Sequence, residues 1–203
     1  MRSAITILKT EHRSLSAVLH GLKELARMAQ DATVRPDWRA FRAMLRYIDE
    51  YPEQLHHPKE DEFLFSRLTA RCHEARELVA DLKSEHVAGA RLIRELERAF
   101  LFFEERWPAG AREFLAAVDE YAEFHWAHMR KEERQLLPLA ERHLTAADWQ
   151  AIDAAFGVNE DPIAGMRERD FEKLFTRIVN LAPEPVGLGG RWSPASARAR
   201  PRG

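Results

Sequence analysis

Two short segments of the same kind recur along this chain. His56 is followed four residues later by Glu60, and His128 by Glu132. On a helix, residues four apart share a face about one turn apart. Each pair therefore offers an imidazole nitrogen and a carboxylate oxygen to one point, where they can bind one metal ion or bridge two. The surrounding residues extend the match. His56-His57-Pro58-Lys59-Glu60-Asp61 and His128-Met129-Arg130-Lys131-Glu132-Glu133 share His-x-x-Lys-Glu-acid at an offset of 72 residues. A second repeat precedes each of them: Lys9-Thr10-Glu11-His12 and Lys83-Ser84-Glu85-His86 lie 74 residues apart. The chain reads as two helix-pair halves. Each gives one His from its first helix and a His-x-x-x-Glu from its second.

The metal-ligand candidates are thus His12, His56, Glu60, His86, His128 and Glu132. Four imidazoles with two bridging carboxylates suit two borderline metal ions. Three further residues compete for a place. His57 is three residues before Glu60 and four before Asp61, so helix phase decides which of His56 and His57 faces inward. Asp61 follows Glu60, and His125 lies one turn before His128. Pro58 affects the phase, because a mid-helix proline removes a backbone hydrogen bond and bends the helix. Glu11 and Glu85 sit beside ligand candidates, where they can accept from imidazole N–H groups. Of the nine histidines, His20, His73 and His143 have no repeat partner and read as exposed or capping groups. Trp126, between His125 and His128, is placed to wall the site. Tyr47 and Tyr121 read as core residues that could neighbour the metals.

Long amphipathic helices must position these groups. Apolar residues at three- and four-residue steps predict helix over 3–30, then from Pro36 to about 70, about 74–105 and about 109–142. Pro108 and Gly110 mark a turn. Thr145 with Asp148 predicts a cap, and Gly157 a stop, for a short helix over 145–156. A last helix is expected over 165–181. Long helices on short loops predict an all-α, up-down four-helix bundle with one or two short C-terminal helices, spanning 1–181. Residues 182–203, rich in Pro, Gly and Arg, are expected to form a disordered basic tail. Trp149, Ile152, Phe156, Phe171 and Phe175 could serve a homodimer.

Composition narrows the function classes. The chain has 203 residues with 45% hydrophobic, 32% charged and a formal net charge of -2, which suits a globular domain and argues against nucleic acid as partner. One cysteine, Cys72, excludes a disulfide framework and fits a reducing compartment. No apolar run reaches the roughly 18 residues of a membrane span. The segment from Met1 to Lys9 lacks a signal peptide's apolar run. A cytoplasmic protein with no membrane partner is expected.

At these residues the sequence resembles the hemerythrin-like HHE cation-binding family. The resemblance rests on Glu11-His12, the segment from His56 to Phe65, Glu85-His86 and the segment from His125 to Pro138, and it covers about residues 4–143. Residues 144–156 resemble stand-alone bacterial members. The resemblance implies a non-haem di-iron centre with carboxylate bridges and a position for a diatomic ligand, oxygen or nitric oxide. Manganese or zinc could substitute. Carried over by position, the ligands are His12, His56, Glu60, His86, His128 and Glu132. One departure stands out: oxygen carriers of the family place two His four apart on the third helix, and here position 90 is Ala90. His57 or His125 would have to replace that ligand. A binding protein for scavenging, storage or sensing is the leading expectation. A redox enzyme that reduces peroxide or oxidises ferrous iron is the alternative, and an iron-sensing bundle without gas chemistry is a third.

Overall fold

The computed structural model of the chain describes residues 3–157, 176 and 178–192. Helix α1 runs Ser3–Met28 and buries the stripe Leu8, Leu15, Leu19, Leu22 and Leu25. Helix α2 covers 38–71 and starts at Asp37, whose carboxylate accepts from the Arg39 amide at 2.9 Å. Helix α3 is Ala75–Arg106. Gly110 then turns the chain with φ 86°, and a Cβ there would lie 2.8 Å from Phe102, so the turn needs glycine. Helix α4 covers 111–143. Helix α5, Ala146–Gly157, opens on the expected cap: the Thr145 amide donates to Asp148 at 2.9 Å, and the Asp148 amide donates to Thr145 Oγ1 at 3.2 Å. The described residues form no strand. The four long helices and the short fifth are those the sequence predicts, with ends shifted by a residue or two.

Helices α2 and α4 each change winding near the candidate ligands. In α2, Asp49–His56 and Glu60–Phe65 are π-helical, with α-helical His57–Lys59 between them; in α4, Glu132–Leu136 is π-helical. The backbone stays in the right-handed helical region at every junction, so each helix is continuous. Pro52 lies inside the first π segment, Pro58 two residues past its end, and Pro138 two residues past the end of the third. A proline lacks the N–H that a regular turn uses, and its ring crowds the carbonyl four residues back. Widening the turn accommodates both defects without breaking the helix. The structure therefore meets Pro58 with a widened turn.

The apolar interior is in two parts. One part gathers Leu15, Leu19, Leu22, Phe41, Ile48, Ile93, Phe103 and Phe114; the other gathers Leu8, Leu64, Phe65, Leu68, Leu82, Leu136, Ile152 and Phe156. All four long helices contribute to both, and the candidate ligands lie on the stretches between. Two expectations are corrected here. Trp149, Ile152 and Phe156 are buried in the second core and offer no dimer surface, because α5 packs its apolar face on α1. Phe171 and Phe175, and most of the predicted helix 165–181, lie outside the described residues. Residues 182–192 are not a disordered tail. Ala182 and Trp192 are buried, the Trp192 ring lies 6.0 Å from that of Phe41, and the Gly189 amide donates to the Ala182 carbonyl at 2.8 Å. Burial of one indole outweighs the segment's Pro and Gly content. Among the described residues no helix is long and apolar enough to cross a membrane.

Trp192→Ala should therefore lower the unfolding free energy of the metal-free chain by about 3 kcal/mol, the bottom of the aromatic-to-alanine range. Guanidinium titration followed by circular dichroism measures this. A loss under about 0.5 kcal/mol, as at a surface position, would show that the segment is not part of the core.

Candidate metal centre

Each of the four long helices turns ligand-type side chains into the layer between the two cores. His12 comes from α1, His56, His57 and Glu60 from α2, His86 from α3, and His128 and Glu132 from α4. All seven are buried; Glu60 and Glu132 are 0% exposed. They fall into two groups, each with one ligand atom per residue within 4.8 Å of the others: His57, Glu60, His86 and His128; and His12, His56, Glu60 and Glu132. The two carboxylates reach both. Glu60 puts Oε1 3.4 Å from His56 and Oε2 3.5 Å from His86. Glu132 puts Oε2 3.2 Å from His12 and Oε1 3.4 Å from His128. The arrangement can hold two metal ions side by side.

Whether these residues suit a metal is tested by the state of the carboxylates. Both oxygens of Glu60 and both of Glu132 are buried without a well-formed hydrogen bond. Such oxygens are costly unless a cation compensates them. The imidazoles point the same way. The Nε2 atoms of His12 and His56 converge to 3.3 Å, and those of His86 and His128 to 3.2 Å. Clustered ring nitrogens beside unpaired carboxylate oxygens make a donor set with borderline-metal character.

The outward nitrogens are occupied. His12 Nδ1 donates to Glu133 at 2.9 Å, His56 Nδ1 to Glu11 at 2.6 Å, His86 Nδ1 to Asp61 at 3.2 Å, and His128 Nδ1 to Glu85 at 2.9 Å. His57 Nδ1 stands 3.4 Å from Glu53. A carboxylate on Nδ1 fixes the tautomer and leaves Nε2 as a donor to metal. Glu11 and Glu85, beside His12 and His86 in sequence, each serve the histidine of the other helix of their pair, because neighbouring residues on a helix face different ways. Asp61 and Glu133 serve the opposite half.

Charge follows geometry. Burial disfavours ionised Glu132, but His128 and His12 outweigh it and hold the carboxyl well below its usual range. Burial, and then Glu132, push Glu60 well up. Burial works against a charged His128, yet Glu132 and Glu85 raise it to about 9. His12 is raised against burial by Glu132 and Glu133. Burial lowers His56, and lowers His57 further.

The three competing residues lie in different places. His56 and His57 both enter the cluster. On a regular helix they would point well apart; here the π-helical turn ends between them and re-aims them. Asp61 stays outside, on the outer nitrogen of His86. His125 also stays outside. Its ring nitrogen lies 3.4 Å from Glu53, and Tyr121 donates to the same carboxylate at 2.9 Å. Gly89 makes room for this contact, since a Cβ there would stand 3.2 Å from both Glu53 and His125. Glu53 is the residue that sequence reasoning missed. Its signal was present: Glu53 is four residues before His57 and occupies the repeat position of His125. Trp126 stacks on His20 at 4.4 Å and donates to Ser16 at 3.0 Å, so it walls a surface groove beside His12.

The family model of the hemerythrin HHE cation binding domain matches residues 3–140. No curated protein matches the chain.

The protonation pattern gives a signed prediction. His128 binds its proton more tightly folded, at about 9, than at its ordinary value of 6.5. That stabilisation is complete below 6.5 and is lost as pH rises toward 9. Glu60, raised instead by burial and by Glu132, also binds its proton more tightly folded and acts in the same direction. The thermal midpoint of the metal-free chain should fall across this window, while that of the metal-loaded chain should not. Metal binding near neutral pH should also release protons, read by calorimetry in buffers of different ionisation enthalpy. Metal uptake without proton release would contradict this assignment.

Proposed function

This chain belongs to the family of hemerythrin HHE cation-binding domains, and from that membership we propose that it holds a pair of iron ions and binds a small diatomic ligand, oxygen or nitric oxide, for scavenging, storage or sensing. The observation that carries the reading is the sharing of Glu60 and Glu132 between two imidazole groups. One iron would be held by His57, His86 and His128, the other by His12 and His56, with the two carboxylates between them. Bound iron supplies reversible redox chemistry and a coordination position for the ligand. Manganese and zinc suit the same donors, so the choice of iron is part of the proposal.

The protein's own contribution is positioning and exclusion. Carboxylates on the outer nitrogens keep four imidazoles oriented and basic, and Glu53 stands 3.4 Å from that of His57. Cores above and below keep bulk water from the pair. Position 90, where the family's oxygen carriers have a second third-helix His, is Ala90, and His57 from α2 is the histidine that stands in the group with His86. The pocket of His12 and His56 has one imidazole fewer and is where a ligand would find room. A single buried cysteine, Cys72, suits the cytoplasm. One observation favours a redox enzyme as second reading: Tyr121, buried, donates its hydroxyl to Glu53, whose carboxylate stands 3.4 Å from His57.

Elemental analysis of the aerobic protein should find about two irons per chain, with near-ultraviolet bands that change on adding azide. One zinc or no metal after iron-supplemented expression would sink the reading. Glu53→Gln should weaken one of the two irons by about 10–100-fold, while His20→Ala should leave both unchanged. Peroxide consumed in many equivalents per chain, and lost in Tyr121→Phe, would replace the binding protein with the enzyme.

A further inference from the structure

We propose that the groove beside His12, between α1 and α4, is a cationic vestibule that draws small inorganic monoanions, such as azide, nitrite or a halide, toward the pocket with two imidazoles. That the vestibule serves a metal pair rests on the preceding reading; that it collects anions does not.

The groove has a volume of about 480 Å³, and the buried side chains of His12 and Met129 reach its lining. Arg13 from α1 and Arg130 and Arg134 from α4 line it, all exposed. Arg130 and Arg134 are four apart on one helix face, an arrangement that costs stability through like-charge repulsion. Among the described residues none of the three forms an ion pair; Arg13 donates only to the neutral Thr10 hydroxyl, at 2.9 Å. The one acid in the lining, Glu133, accepts from His12 Nδ1 at 2.9 Å. Three guanidiniums thus face one carboxylate that is already engaged. Fields from such a patch raise the local concentration of an oppositely charged ligand and its association rate.

The chain's own repeat serves as the control. At the 74- and 72-residue offsets, Arg13, Arg130 and Arg134 correspond to Val87, Pro58 and Glu62. The pocket with three imidazoles therefore has an apolar residue, a proline and an acid where the other has three arginines. One basic residue recurs on that side, Arg94 at the position of His20, and it is tied to Asp49 at 3.0 Å and Glu97 at 2.9 Å. At the same offset Met129 corresponds to His57. The half that lacks the extra imidazole is the half that carries the free positive charge. Internal duplication alone would make both faces alike, so the arginines mark the face an outside ligand approaches.

Trp126 lines this groove and reports on it. In the metal-free full chain, iodide and acrylamide quenching of Trp126 is read as the difference from Trp126→Phe. Iodide quenching should fall at least about twofold in the variant R13Q/R130Q/R134Q, with acrylamide quenching unchanged. In the unaltered chain the iodide excess should fade as neutral salt rises to about 0.5 M, which keeps the test valid if the triple variant misfolds. Iodide quenching insensitive to both would overturn the proposal. In the iron-loaded protein, azide association should slow by about three- to tenfold in the triple variant, with azide dissociation and nitric oxide association unchanged. Unchanged azide association beside an altered iodide result would overturn the access role. Failure of azide to bind at all would overturn the metal reading and the access role with it, while the iodide arm still decides whether the groove collects anions.

Discussion

Two carboxylates, Glu60 and Glu132, are enclosed without solvent at the centre of a helical bundle, and the middle of the molecule is organised around them. A buried ion costs several kcal/mol unless partners surround it. Five imidazoles stand within reach, and each of them leans outward on a further acid. Two of these acids reach the surface: Glu60 and Glu132 are 0% exposed, while Asp61 and Glu133 are 37% exposed. Glu53, behind His57, stays enclosed at 5%. The same layer divides the apolar interior in two, and the two cores hold the four helices in the phase the layer requires.

Most of this layer follows from duplication. Glu11 serves His56 as Glu85 serves His128, and Glu133 serves His12 as Asp61 serves His86. Two copies of one helix pair make a framework in which each carboxylate lies between groups from both halves. The departures from the repeat carry the individuality of the site. Met129 stands opposite His57, His125 opposite Glu53, and Leu15 opposite Gly89. His125 meets Glu53 across the bundle because Gly89 leaves the space. A symmetric framework would make two equal pockets; these replacements make one pocket richer in imidazole and the other open toward a charged groove.

The prolines explain how neighbouring histidines share one target. A regular α-helix sends His56 and His57 in different directions, and Pro58 would disrupt it. Winding through 49–65 widens twice, with the prolines inside or just past the widened turns, and both rings enter the cluster. The price in regular hydrogen bonding falls on the stretch that carries the candidate ligands, the usual place for such turns.

The sequence by itself determined the helices, their order and the six repeat-related ligand candidates. Those depend on local periodicity and on spacing along one helix, and both are written in the chain. It also marked Thr145 and Asp148 as a cap, since capping is a contact over three residues. The tertiary structure alone decided that His56 and His57 both enter the cluster, that Glu53 stands behind His57, and that His125 is held apart. Those outcomes depend on helix phase through a π segment and on contacts between residues tens of positions apart. The packing of Trp192 on Phe41 was likewise hidden, because composition describes a segment's average and not the one side chain that finds a core. Spacing along the chain names the atoms that can meet on one helix, and only packing says which helices face each other.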